Sequence, residues 1–211
     1  MAGIITALKI QARNKERVNV FVDDQFAFAV TAVAAAALKK GQYLSDAEIE
    51  EFKSGDQLDK AYDQAIRYLG FRPRSQAEVE RYLHEKDYPA NVIVHTLERL
   101  RQQQYVDDQA FAQFWLENRE RFKPRGRQAL RYELRQKGLE SDLIDEALTG
   151  LDEEESAWAA AESKLPRWRT LDEPAFKQKV MAFLNRRGFT YEVASQTAQR
   201  AWNSLDSAEF N

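Results

Sequence analysis

The sequence holds no cysteine and two histidines in 211 residues. Without cysteine there is no disulfide and no thiolate metal site, which suits a reducing cytoplasm. His84 and His95 stand apart, with no His-Glu-x-x-His pattern to make a metal centre of them. No apolar run reaches the 18 residues that a membrane helix needs, and the alanine-rich Thr31–Leu38 is far too short. The N-terminal stretch lacks the basic-then-apolar pattern of a secretory signal. Neither G-x-x-x-x-G-K-[ST] nor G-x-G-x-x-G occurs, so a standard phosphate loop is missing. Asp107 and Asp108 are adjacent carboxylates, but neighbours at a helix start do not converge on one point; they read as a cap and its dipole partner. No nucleophile has an evident base. These absences point to a cytoplasmic protein that is not an enzyme and uses no cofactor and no metal; a monomer is expected. Charge of one sign is also lacking. Charged residues make up 31% of the chain, yet the net charge is only −3, which argues against general coating of DNA.

What the chain does have is an internal repeat. Leu134-Arg-Gln-Lys-Gly138-Leu139 is matched 51 positions earlier by Leu83-His-Glu-Lys-Asp87-Tyr88 and 50 positions later by Leu184-Asn-Arg-Arg-Gly188-Phe189. A fixed period of this length marks a repeat architecture. Each copy predicts a helix ended by a left-handed residue, which glycine adopts freely and Asp87 tolerates. The flanking apolar pair then closes a Schellman clasp: Leu134 on Leu139, Leu83 on Tyr88, Leu184 on Phe189.

In chain order, Ile4–Ile10, Arg17–Val22 and Phe26–Val30 read as strands separated by polar turns, the second turn at Asp23-Asp24-Gln25. A short helix is expected over Thr31–Leu38, stopped at Gly41. Ser45-Asp-Ala-Glu48 is a capping box opening another short helix that ends near Lys53, before Gly55. Leu58, Ala61, Tyr62, Ala65, Ile66 and Leu69 then fall on one helical face. Helices at 76–86 and 91–104 complete a first unit. A second unit starts at the Asp107 cap and carries Phe111, Phe114, Trp115, Phe122, Leu130, Leu134, Leu143, Ile144 and Leu148. In a third, the run Asp152–Glu155 forms a helix N-terminus, and an insert at Trp168–Pro174 precedes Phe176. The expected fold is mainly α: three tandem three-helix repeats in an elongated curved array, preceded by a small β-meander with short helices. The divisions fall at 1–56, 57–106, 107–151 and 152–211.

One stretch departs from the charge balance. Arg119, Arg121, Lys123, Arg125, Arg127, Arg131, Arg135 and Lys137 face only Glu120 and Glu133 within it, a local excess of six positive charges. Arg127, Arg131 and Arg135 share a helix face at spacings of four. Arginine over lysine favours bidentate pairing with carboxylates or phosphates. Arg72 and Arg74, flanking Pro73 as Lys123 and Arg125 flank Pro124, extend the candidate partner-binding surface. The stretch reads either as a solvated helix face or as the contact for an anionic partner, an acidic protein surface or a nucleic-acid backbone.

These residues carry a resemblance. The helix Ala61-Tyr-Asp-Gln-Ala-Ile-Arg-Tyr-Leu69, then Arg72-Pro-Arg-Ser75, Glu78-Val79 and Leu83–Tyr88, resemble the start of the RecX family of recombinase regulators. So do Tyr105-Val-Asp-Asp108 with Phe111-Ala112, and Lys123-Pro-Arg-Gly126 leading to Leu130, Leu134 and Lys137-Gly-Leu139. The likeness is good over about 58–150 and looser in the third repeat. Asp87 stands where a glycine is usual, and the insert before Phe176 is a second departure. The resemblance implies a regulator that binds the RecA recombinase or its DNA filament, with weak direct DNA contact at most. It implies inhibition of ATP hydrolysis, strand exchange and filament extension, modulating DNA repair by recombination and the SOS response. It brings no catalytic residues. Two other readings are a helix-turn-helix-like DNA-binding module and a protein-interaction adaptor. Against the first, the third helix of the second unit is acidic at Asp142, Asp145 and Glu146, where a DNA-reading helix should be basic.

Overall fold

The computed structural model describes residues 2–208. Backbone proximity divides the chain into two compact units, residues 1–72 with 79–106, and residues 73–78 with 107–211.

The first unit begins with an antiparallel sheet of order β3-β2-β1-β4, built from β1 (Gly3–Ile10), β2 (Arg17–Val22), β3 (Gln25–Thr31) and β4 (Tyr43–Leu44). Asp23 and Asp24, at φ 47° and 64°, make the two-residue turn between β2 and β3. Both central residues are left-handed, which matches the twist of the flanking strands. One sheet face buries Ile5, Val18, Val20, Val22, Phe28 and Val30. The two-residue β4 was not anticipated; a strand that short carries no periodicity to read. The helix expected over Thr31–Leu38 shrinks to α1 (Ala32–Ala35), capped by Thr31.

The larger correction concerns Gly55. The two helices expected on either side of it are one, α2 (Asp46–Leu69), so the expected division at 56/57 falls inside a helix. An interior glycine costs about 1 kcal/mol, and tertiary contacts on both sides outweigh it. Ile49 and Phe52 pack on the sheet, Asp56 pairs with Arg17 and Lys60, and Ala61 and Ala65 are fully buried beyond. The capping box forms as expected: the Glu48 amide donates to Ser45 Oγ, and the Ser45 amide donates to the Glu48 carboxylate. The C-terminal half of α2 packs with α3 (Gln76–His84) and α4 (Ala90–Gln102) around Val79, Leu83, Ile93, Leu97 and Leu100.

In the second unit, α5 (Asp108–Phe122), α6 (Arg127–Gln136) and α7 (Ser141–Leu148) enclose Phe111, Leu116, Leu130, Leu134, Ile144 and Leu148. Then α8 (Glu153–Glu162), α9 (Glu173–Asn185) and α10 (Tyr191–Ala208) enclose Ala157, Ala161, Phe176, Val180, Leu184 and Ala198. Asp107 caps α5 as expected, and the acidic run forms the expected N-terminus of α8, with Asp152 as its cap. A turn of 3-10 helix at Leu165–Arg167 precedes the insert, which runs as a loop to the Asp172 cap and gives Glu173 and Pro174 to the first turn of α9. The protein is therefore mainly α, with three three-helix domains after a small sheet.

All three clasps are present. Asp87, Gly138 and Gly188 have φ of 60°, 84° and 83°. The amides of Tyr88, Leu139 and Phe189 donate to the carbonyls of Leu83, Leu134 and Leu184 at 3.2–3.3 Å, and the left-handed residues donate to the next carbonyls along, those of His84, Arg135 and Asn185, at 2.9–3.0 Å. These are the two bonds of a Schellman ending, and Leu83, Leu134 and Leu184 are fully buried beneath it. A fourth such ending closes α4, with Gln104 at φ 58° and the Tyr105 amide on the Leu100 carbonyl at 2.9 Å. Neither glycine nor asparagine announces it in the sequence.

Candidate partner-binding surface

The arginine-rich stretch does not form one open basic face. Arg119 Nε donates to Glu133 at 2.7 Å, and Arg125 Nε lies 3.5 Å from the same carboxylate. Glu133 also accepts from the Trp115 indole at 2.9 Å. Arg127 is structural: its guanidinium donates to the carbonyls of Leu148 and Leu151 at 2.6 and 3.3 Å, satisfying acceptors at the end of α7. Its own amide, in the first turn of α6, donates to Glu153 at 2.9 Å. Arg131 pairs with Asp145 at 2.6 Å. Lys137 Nζ pairs with Glu78 at 2.8 Å.

Glu78, Asp145 and Glu153 all come from outside the stretch, and each neutralises a cation within it. The acidic third helix thus supplies a counter-ion at Asp145. Arg121, Lys123 and Arg135 remain exposed, with no ion-pair partner among the described residues. Arg121 lies beside the ring of Phe122, 5.2 Å from its centre. Phe122 and Phe114, apolar marks of α5 in the sequence, face solvent at 70% and 37% exposure. The outer face of α5 therefore mixes aromatic and guanidinium groups, the composition of protein-binding hot spots. Arg72 and Arg74 are half-buried and engaged by neighbouring groups.

Two contacts in the second unit repeat one another. The Ser75 hydroxyl donates to the Lys137 carbonyl at 2.6 Å, and Ala77 lies against Gly138. Fifty-one residues on, the Gly126 amide donates to the Arg187 carbonyl at 2.9 Å, and Ala129 lies against Gly188. In each, the start of one helix rests on a left-handed clasp. The residue before each of the three repeated clasps is a cation lying over an aromatic ring: Lys86 on Tyr82, Lys137 on Trp115 and Arg187 on Phe183, at 5.6, 4.9 and 4.6 Å. Arg187 was not among the sequence candidates. Its signal was there in the aligned copies, where it occupies the place of Lys137.

Comparison with known proteins follows the same order along the chain. Residues 3–45 match the regulatory protein RecX N-terminal domain, and residues 61–100, 107–148 and 152–198 match the first, second and third three-helix domains of RecX. The regulatory protein RecX of Bacillus subtilis is 35% identical over 196 residues, covering 90% of this chain and 74% of that one. The chain belongs to the RecX family. Its RecX relative in Listeria monocytogenes serotype 4b is 31% identical over 97% of the chain and 78% of its own length. A crystal structure of a regulatory protein RecX superposes with a TM-score of 0.75 at 30% identity, over 94% of this chain and all of that one. RecX from Lactobacillus salivarius, at 22% identity and a TM-score of 0.63, shares the fold over 69% of this chain and 97% of its own. RecX relatives are thus regulatory proteins, and the Asp87 departure leaves the clasp geometry of the first three-helix domain intact.

No helix among the described residues is long and apolar enough to cross a membrane, and they contain no cluster of metal-ligating side chains.

Proposed function

We propose that this RecX-family chain is a non-enzymatic, cytoplasmic regulator that binds the RecA recombinase or its DNA filament. It inhibits ATP hydrolysis, strand exchange and filament extension, and so restrains recombination and the SOS response. The observation that carries this reading is the unbroken series of four RecX domain matches across residues 3–198. Such an inhibitor performs no chemistry; it needs only to bind one state of its target better than another. The candidate contact surface comprises Arg72, Arg74, Arg119, Arg121, Lys123, Arg125, Arg127, Arg131 and Arg135, with Arg121, Lys123 and Arg135 carrying the charge not already balanced inside the fold.

The test is ATP hydrolysis by the same organism's recombinase on single-stranded DNA while this protein is titrated in. Inhibition well below one molecule per protomer supports action on the filament. No effect at equimolar protein, with filaments present, rejects the reading. Reversing Arg121, Lys123 and Arg135 to glutamate is expected to weaken inhibition about tenfold or more with helicity unchanged. Steep salt dependence of binding to DNA alone would instead favour a DNA-binding module.

A further inference from the structure

The two repeated helix-on-clasp contacts differ in one respect. At the first, Lys137 is neutralised by Glu78, three residues after Ser75. At the second, the position three residues after Gly126 is Ala129, and that carboxylate is gone. Arg187 has no acid within ion-pair distance among the described residues; one guanidinium nitrogen donates to the Pro124 carbonyl at 3.0 Å. That bond places it beside Arg125, the next residue in the chain. The Arg125 Nε is buried and makes no hydrogen bond. Its nearest acid, Glu133, is already held by Arg119 and Trp115. Arg119 and Arg125 therefore share one carboxylate, and Arg187 beside them has none among the described residues. Burial, and then the charge of Arg125, lower the pKa of Arg187 from its usual value.

We propose that Arg125 and Arg187 form a two-guanidinium site that receives a carboxylate from an acidic protein partner, in the place that Glu78 fills at the first contact. Guanidinium forks match carboxylates in shape and charge. The protein's own use of Glu78, Asp145, Glu153 and Glu133 against neighbouring cations favours a carboxylate over a phosphate. The identity of the partner as the recombinase rests on the proposed function; the existence of the site does not.

The test measures binding of a hexaglutamate peptide and of a fluorescein-labelled 15-nucleotide oligo(dT), alongside recombinase inhibition. The variants are Arg125→Gln, Arg187→Gln, Arg187→Lys and, as a control on the exposed face of α9, Lys179→Gln. Loss of either guanidinium is expected to weaken peptide binding and inhibition about tenfold. The double variant should lose less than the product, because the two act on one anion. Arg187→Lys keeps the charge without the fork and falls between, and it stands in for Arg187→Gln if melting curves show that variant unfolded. Lys179→Gln stays within about twofold. Peptide binding that ignores Arg187 overturns the proposal, as does a loss confined to oligo(dT). A wild-type protein that fails to inhibit the recombinase, yet binds peptide through Arg187, removes the recombinase reading and keeps the site.

Discussion

Gly188→Ala tests the packing of the second unit most directly. At φ 83° an L-residue costs about 1–2 kcal/mol. The added Cβ would also collide with the Cβ and backbone nitrogen of Ala129, in the first turn of α6. Overpacking of that kind adds about 1–3 kcal/mol. Relief would require α6 to lift from the clasp, at the expense of the bond from the Gly126 amide to the Arg187 carbonyl. The expected loss is about 2–5 kcal/mol, a urea midpoint lower by about 1–2.5 M at a slope of about 2 kcal/mol/M. The chain supplies its own probe, because Trp115, Trp158, Trp168 and Trp202 all lie in the second unit. Urea unfolding followed by tryptophan fluorescence therefore reports that unit, while far-UV dichroism reports both. Asp87→Gly, at the equivalent clasp of the first unit, should leave the fluorescence transition in place. A change in Gly188→Ala below about 0.5 kcal/mol would refute the packing argument.

Leu134 is fully buried, so Leu134→Ala should cost about 2–5 kcal/mol in the same fluorescence assay. Asp56→Ala strands the buried Arg17 guanidinium and should destabilise the first unit by about 3–5 kcal/mol, seen by dichroism and not by tryptophan fluorescence. The Ser45 hydroxyl and then the Ser45 amide hold the Glu48 carboxyl below its ordinary pKa. The sign follows: this contribution is fully present above the ordinary glutamate value of 4.5 and fades as pH falls through the lower, folded value. Ser45→Ala should accordingly lower the first unit's stability at neutral pH and reduce its loss on acidification. Equal acid sensitivity in variant and wild type would contradict it.

The helical domains were legible because local and tertiary signals agree there. Leu134, Gly138 and Leu139 announce both a helix end and the buried pair beneath it. The join in α2 was illegible because Gly55 speaks locally for a break, while the contacts that override it, Arg17 with Asp56 and Phe28 stacked on Phe52, come from strands far back in sequence. The arginine surface was half legible. Counting charge along the chain finds Arg119–Lys137, but Glu78, Asp145 and Glu153 are brought in by folding and change which cations stay open. Arg187 was legible as the counterpart of Lys137 in the aligned copies, but its importance lies in an acid missing at Ala129, and it takes the fold to show that the acid at Glu78 pairs with that cation.

The long helix α2 has a further consequence. Its first half belongs to the core beneath the sheet and its second to the first three-helix core, and at 24 residues it runs about 36 Å. It therefore works as a protractor as well as a rod. Adding one residue between Lys53 and Leu58 would advance the far half by about 1.5 Å and swing it by about 100°, turning Ala61 and Ala65 out of the seats that Ile49 and Phe52 set for them. Nothing lies within 4 Å of a Cβ built at Gly55, so side chains there can change freely. The residue at Gly55 is open to drift, while Asp56 is held by Arg17 and the residue count of the segment is held fixed by the two cores it serves.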